Sequence, residues 1–150
     1  MNMPMQLSLQ QMHAWLPGSR LVGDPAATVA RVHTDSRSVQ PDDLFVALQG
    51  ERFDAHAFLP QLTAQGVKVA LAQHGLAQSG LMGLEVPDTK VALAQLASAW
   101  RKPLNMPMIA VTGSNGKTTV TQMIASILQA WQGEHALSTQ GNFNNDIGVP

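Results

Sequence analysis

The sequence predicts an α/β fold: a small α/β domain, then the start of a parallel-sheet domain opened by a phosphate-binding loop. Three observations predict it. Apolar runs of strand length, at residues 44–48, 67–72 and 108–111, are bounded by turn residues. Segments with helical period stand between and after them. Finally, Val111-Thr112-Gly113-Ser114-Asn115-Gly116-Lys117-Thr118-Thr119 joins one such strand to one such helix through a glycine-rich turn.

Ser8 and Gln11 have capping-box spacing and open a short helix bearing Leu9, Met12, Trp15 and Leu16; Pro17-Gly18 ends it. Residues 28–32 alternate and suit a strand. Pro41-Asp42 is a turn, of type I because Asp42 tolerates positive φ less well than glycine. Residues 44–48 are a buried strand. A helix over residues 58–65 stops at Gly66, and Pro60 is harmless only in its first turn, so the helix starts near Ala57 and not at Asp54. Residues 67–72 form a strand, 73–83 a loop holding Gly75, Gly80 and Gly83, and 84–86 a short strand ended by Pro87.

Asp88 or Thr89 then caps a helix with Leu93, Leu96, Ala97 and Trp100 on one face. The linker Lys102-Pro103-Leu104-Asn105-Met106-Pro107 leads to a buried strand, Met108-Ile109-Ala110-Val111. Past the loop, Val120, Met123, Ile124, Ile127, Leu128 and Trp131 recur at helical spacing. Residues 135–139 start a further strand.

Bulk composition excludes several function classes. The 150 residues are 45% hydrophobic and 13% charged, enough for a core. The net charge of −1, with no basic run, argues against nucleic acid held by counterion release. With no cysteine there is no disulfide framework and no thiolate chemistry. Met1-Asn2-Met3-Pro4-Met5 lacks the charged and apolar regions of a signal peptide, and no apolar run has membrane-span length. The cytoplasm is the expected location.

The loop carries the clearest chemistry. Gly113 and Gly116 let the backbone curl, so that the amides of residues 113–116 and the helix N-terminus point at anionic oxygens. Lys117 can set a point charge on the β/γ-phosphates, and the Thr118 hydroxyl can ligate Mg²⁺. The strict Walker A pattern is not met, since Val111 stands where its first glycine belongs. The competing reading is a glycine-rich turn with a solvated lysine. Strand, loop, lysine, hydroxyl pair and helix together favour phosphate.

Thr34, Asp35, Ser36 and Arg37 follow the first strand. They suit either an Asx/Ser turn with a solvated arginine or a phosphate-side donor set. Gly50 and Arg52 follow the next strand, at the kind of carboxyl end where α/β sheets hold ligands. Asp54 can cap the turn at His56. The five histidines show no metal spacing. Asn142, Asn144 and Asn145 could simply brace their own loop.

The compact Gly113-Ser114-Asn115-Gly116-Lys117-Thr118-Thr119 loop resembles the ATP loop of the Mur ligase superfamily, ATP-dependent amide ligases of peptidoglycan precursor synthesis and their folylpolyglutamate relatives. His33-Thr34-Asp35-Ser36-Arg37, then Asp43-Leu44-Phe45-Val46-Ala47-Leu48-Gln49-Gly50-Glu51-Arg52-Phe53-Asp54-Ala55-His56, is similar to the family's N-terminal segment. Gly141-Asn142-Phe143-Asn144-Asn145-Asp146-Ile147-Gly148-Val149-Pro150 is similar to the asparagine-rich loop of the branch that joins D-Ala-D-Ala to a UDP-N-acetylmuramoyl-tripeptide.

The resemblance implies ATP and Mg²⁺ as cofactors and those two molecules as substrates. ATP would be bound by Gly113, Ser114, Asn115, Gly116, Lys117, Thr118 and Thr119, with Lys117 catalytic and Thr118 on the metal. The sugar-peptide substrate would meet Thr34, Asp35, Ser36, Arg37, Gly50, Arg52, His56, Asn142, Asn144 and Asn145. It implies a nucleotide-sugar-binding domain over residues 1–87 and the beginning of an ATPase domain over 88–150. Composition alone would divide the chain at residues 102–107. It also implies a fragment of a longer, monomeric parent. Two alternatives remain: a sister ligase adding the third peptide residue, or a non-catalytic nucleotide-binding module.

Overall fold

The structure, a computed structural model, describes residues 6–51 and 53–139. Arg52, Asn142, Asn144 and Asn145 lie outside the described residues. In chain order the elements are β1 (Leu7–Ser8), α1 (Leu9–Trp15), β2 (Arg20–Val22), β3 (Thr28–Val29), β4 (Arg31–His33), β5 (Asp43–Val46), α2 (Leu59–Leu62), β6 (Val69–Ala72), β7 (Met82–Glu85), α3 (Thr89–Arg101) and α4 (Lys117–Gln132).

A five-stranded sheet in the order β2-β7-β6-β5-β4 forms the centre. Strands β4 to β7 are parallel and β2 is antiparallel at the edge. β1 and β3 make a separate two-stranded ladder. Because strand side chains alternate, the sheet feeds two cores. Leu44, Val46, Val69, Leu71 and Leu84 face Leu9 and Met12 of α1 and Ala92, Leu93 and Leu96 of α3. Phe45, Ala70 and Ala72 face Ala55, Leu59 and Leu62 on the other side. Burial on both faces is why these strands are almost wholly apolar.

Local signals were read well. The Ser8/Gln11 capping box is present in both directions, and Asp88 caps α3 through the Lys90 and Val91 amides. Other expectations need correction. The strand expected over residues 28–32 breaks at Ala30, whose N–H bonds Asp42 O at 2.9 Å, so Val29 and Val32 serve different sheets. The edge strand β2 was not expected; Arg20 pairs with Glu85, 65 positions away.

The helix expected from Ala57 is three pieces. A 3-10 turn, Ala55–Phe58, follows the Asp54 cap; α2 starts at Leu59 with Pro60 in its first turn; another 3-10 turn, Thr63–Gln65, ends at left-handed Gly66. Gly83, expected in a loop, lies inside β7 at φ 149, where a Cβ would overlap the Ala70 carbonyl oxygen. Helix α3, which the resemblance assigns to the second unit, buries Ala92, Leu93 and Leu96 in the core shared with α1 and the sheet.

Neither strand expected in the second half is formed. Residues 105–113 have no regular structure, and Met108 and Ile109 are 61% and 59% exposed. Residues 133–135 make a 3-10 turn, Gly133–His135. A parallel strand needs partners on its edges and cover on its faces, and among the described residues these segments have neither.

Candidate functional site

The carboxyl ends of the adjacent parallel strands β4 and β5 bring the described candidates Thr34, Asp35, Ser36, Arg37, Gly50 and His56 to one edge of the sheet. After β4, the Asp35 carboxylate accepts from the Arg37 backbone N–H at 2.9 Å and from its guanidinium Nε and NH2 at 2.9 and 2.6 Å. The guanidinium beside Asp35, then the backbone N–H, hold that carboxyl far below the usual carboxylate range, and the same pair raises the Arg37 pKa. Arg37 stays 87% exposed along its side chain, so it can turn to an incoming anion at the expense of a screened pair. Ser38 ties the turn back to His33 through an Oγ–Nε2 contact of 2.8 Å. Thr34, which is exposed, precedes this turn and Ser36 lies within it.

After β5 the chain forms a tight hairpin. Gln49 and Asp54 pair as an isolated bridge, and Gly50 N–H donates to Phe53 O at 2.7 Å. Asp54 caps His56 through its backbone N–H at 2.9 Å and meets His56 Nδ1 at 2.6 Å. The backbone bond first, then the ring bond, keep Asp54 below its ordinary pKa. His56 is buried, and its Nε2 accepts from the Gln73 N–H at 2.8 Å. Both ring nitrogens are therefore engaged within the protein.

Sequence reasoning missed two residues on this edge. Gln73 also donates from its side chain to Pro87 O at 3.2 Å, and buried Thr89 donates from Oγ1 to Ala47 O at 2.9 Å. Their one signal is position, each just past a strand's carboxyl end. At the opposite edge, Asp43 holds Arg31 through two bonds of 2.8 and 2.7 Å. Burial would raise the Asp43 pKa, but the Arg31 bond and the Gln40 N–H outweigh it and keep it low.

The loop expected to bind phosphate runs from Gly113 into α4. Gly116 takes a left-handed φ of 75 at the N-cap of α4, which begins at Lys117. No side chain caps that end and no acidic residue stands in its first turn. Its amides and partial positive charge are thus left for an outside anion. Lys117 Nζ donates to Gly113 O at 2.6 Å, folding the lysine back over the loop. Ser114, Asn115, Thr118 and Thr119 are exposed. This arrangement fits a nucleotide phosphate. For Mg²⁺ the fit is partial: Thr118 offers a hydroxyl, but among the described residues no three His, Cys, Asp or Glu side chains could hold a metal.

Residues 28–101 match the family described as "Mur ligase family, catalytic domain" and residues 111–150 the "Mur ligase middle domain". The chain belongs to the Mur ligase family. Mur ligases are ATP-dependent ligases. The UDP-N-acetylmuramoyl-tripeptide–D-alanyl-D-alanine ligase of Haemophilus influenzae is 46% identical over 134 residues, covering 88% of this chain and 29% of that protein. A crystal structure of MurF from Acinetobacter baumannii superposes with a TM-score of 0.83 at 39% identity, over 98% of this chain and 32% of that one. MurF ligase from Thermotoga maritima, solved with ADP, gives 0.70 at 30% identity, over 80% of this chain and 27% of that one. This chain thus spans about a third of the length of the relatives it matches. The α/β fold is that of these Mur ligases.

Proposed function

We propose that this chain is part of a cytoplasmic, monomeric ligase that adds D-Ala-D-Ala to UDP-N-acetylmuramoyl-tripeptide at the expense of ATP. The observation that carries the reading is the uncapped N-terminus of α4, with Gly116 left-handed and Lys117 beside it. The 46% identity to a ligase named for that reaction supports the choice of substrates.

The chemistry follows from what these residues can bind. The tripeptide's terminal carboxylate oxygen attacks the γ-phosphorus of ATP, and the bond to the β-phosphate oxygen breaks to release ADP. The amine of D-Ala-D-Ala then attacks the acyl phosphate carbon, loses a proton, and expels inorganic phosphate. Amides of residues 113–116 hold the phosphates and Lys117 offsets the charge on the transferring oxygens, since phosphoryl transfer depends mostly on positioning and electrostatics. Mg²⁺, with Thr118 as one ligand, would neutralise phosphate charge.

We assign the uridine-nucleotide end to the sheet edge bearing Thr34, Asp35, Ser36, Arg37 and Gly50, with Arg52 as a further contact that the sequence resemblance alone suggests. Its remote binding energy helps place the carboxylate. Asn142, Asn144 and Asn145 are proposed to read the sugar-peptide. Burial of the α3 face in the first core supports a division of the two functional units at residues 102–107, the boundary that composition suggests, over one at residue 87.

Lys117→Ala tests the reading in a protein that carries this sequence with the remaining length of its relatives. Phosphate release coupled to pentapeptide product should fall by about 10²-fold or more, the scale of losing a main charge stabiliser. The fold should be unchanged. Turnover within a few-fold of the unaltered protein would refute the ATP-loop assignment.

A further inference from the structure

We infer that His56 is a positioning residue: its buried imidazole ties the hairpin after β5 to the end of β6, and the substrate does not touch the ring. The inference rests on the reading that this sheet edge holds the UDP-sugar. Only 7% of His56 is exposed. A backbone N–H can only donate, so the 2.8 Å bond from Gln73 N–H requires a lone pair on Nε2. The ring proton therefore sits on Nδ1, which donates to Asp54 at 2.6 Å. That carboxylate also caps the turn, and Asp54 pairs with Gln49 to close the Gly50 hairpin. On the far side Gln73 reaches Pro87 O, and Thr89 reaches Ala47 O. One line of bonds thus spans the carboxyl ends of β5, β6 and β7.

His74 stacks on the His56 ring at a centroid distance of 4.7 Å and covers one face. With both nitrogens occupied and a face covered, His56 acts on a ligand through the placement of Gly50. Phenylalanine would fill the same space yet leave the Gln73 N–H without an acceptor. Glutamine would return an oxygen near the Nε2 position.

The test is titration of the 150-residue chain with UDP-N-acetylmuramoyl-tripeptide, followed by calorimetry and by ¹⁵N NMR. Binding should shift the Gly50 amide and leave the His56 Nε2 resonance in place at saturation. Folded His56→Phe should bind about tenfold or more weakly, and His56→Gln should stay within about threefold of the unaltered chain, differences well resolved by calorimetry. An Nε2 resonance that moves with the ligand would overturn the inference by showing direct contact. Equal affinity of folded His56→Phe, or a His56→Gln as weak as it, would also overturn it. Should His56→Phe not fold, the Nε2 resonance and His56→Gln decide. Absence of both heat and a Gly50 shift in the unaltered chain refutes the site reading itself, and no variant is needed to see it.

Discussion

Asp43-Leu44-Phe45-Val46, apolar after its first residue, and the apolar Met108-Ile109-Ala110-Val111 are both short, and both precede a loop of candidate ligand-binding residues. The first is a wholly buried strand, β5, with parallel partners on either side. The second is irregular and mostly exposed. The helices repeat the contrast. α3 buries Thr89, Ala92, Leu93 and Leu96, whereas α4 is three residues longer and buries none. Yet α4 is formed. A helix closes its hydrogen bonds within its own turns, while a strand leaves all its backbone groups for its neighbours. Local pattern therefore sufficed for α4 and not for the strand before it. The exposed Val120, Met123, Ile127 and Trp131 are the face that such neighbours would cover.

Three tests, made with four substitutions, break or sharpen this contrast. The largest effect should come from Gly83→Val. A β-branched side chain there must displace the Ala70 carbonyl from the β6–β7 ladder. A loss of about 3 kcal/mol or more is expected from backbone strain and overpacking together. Denaturant unfolding should show the sheet melting at much lower midpoint, with α4 helicity little changed. A near-native midpoint would mean that the β6–β7 approach is looser than described.

Next comes a matched pair. Leu71→Ala empties a fully buried site and should cost about 2–5 kcal/mol. Ile127→Ala removes a similar side chain that is 66% exposed and should stay within about 0.5 kcal/mol. Similar losses for both would show that the α4 face is covered in solution.

A smaller effect than those at Gly83 and Leu71 is electrostatic and confined to the first region. Asp43 has a depressed pKa, so the folded state binds its proton more weakly than the unfolded chain does. Its contribution is present above the unfolded value, about 3.9, and is lost as pH falls through the folded value. Stability should therefore drop below about pH 4. Asp43→Asn should cost about 1–3 kcal/mol at neutral pH and flatten part of that acid dependence. An unchanged acid limb would shift the effect to Asp35 or Asp54.

The sequence by itself determined what depends on a few neighbouring residues. Ser8 and Gln11 set the start of α1, Gly66 the end of the helical segment before β6, and Gly116 and Lys117 the start of α4. Each acts through bonds spanning three or four positions, so a short window holds the whole interaction. The apolar runs of β5 and β6 were legible for a related reason, since burial on both faces removes polar residues.

Tertiary structure decided everything that needed a distant partner. Residues 20–22 form an edge strand by pairing with β7, and the strand expected over residues 28–32 splits at Ala30, whose N–H bonds Asp42 O. Gly83 belongs to a strand because Ala70 lies against it. His56 reads in sequence as a ligand contact; only the fold brings the Gln73 amide to its Nε2 and uses up the ring. The physical reason is one of range: capping and helical bonds close within a turn, whereas pairing, burial and tautomer are set by groups that folding alone brings together.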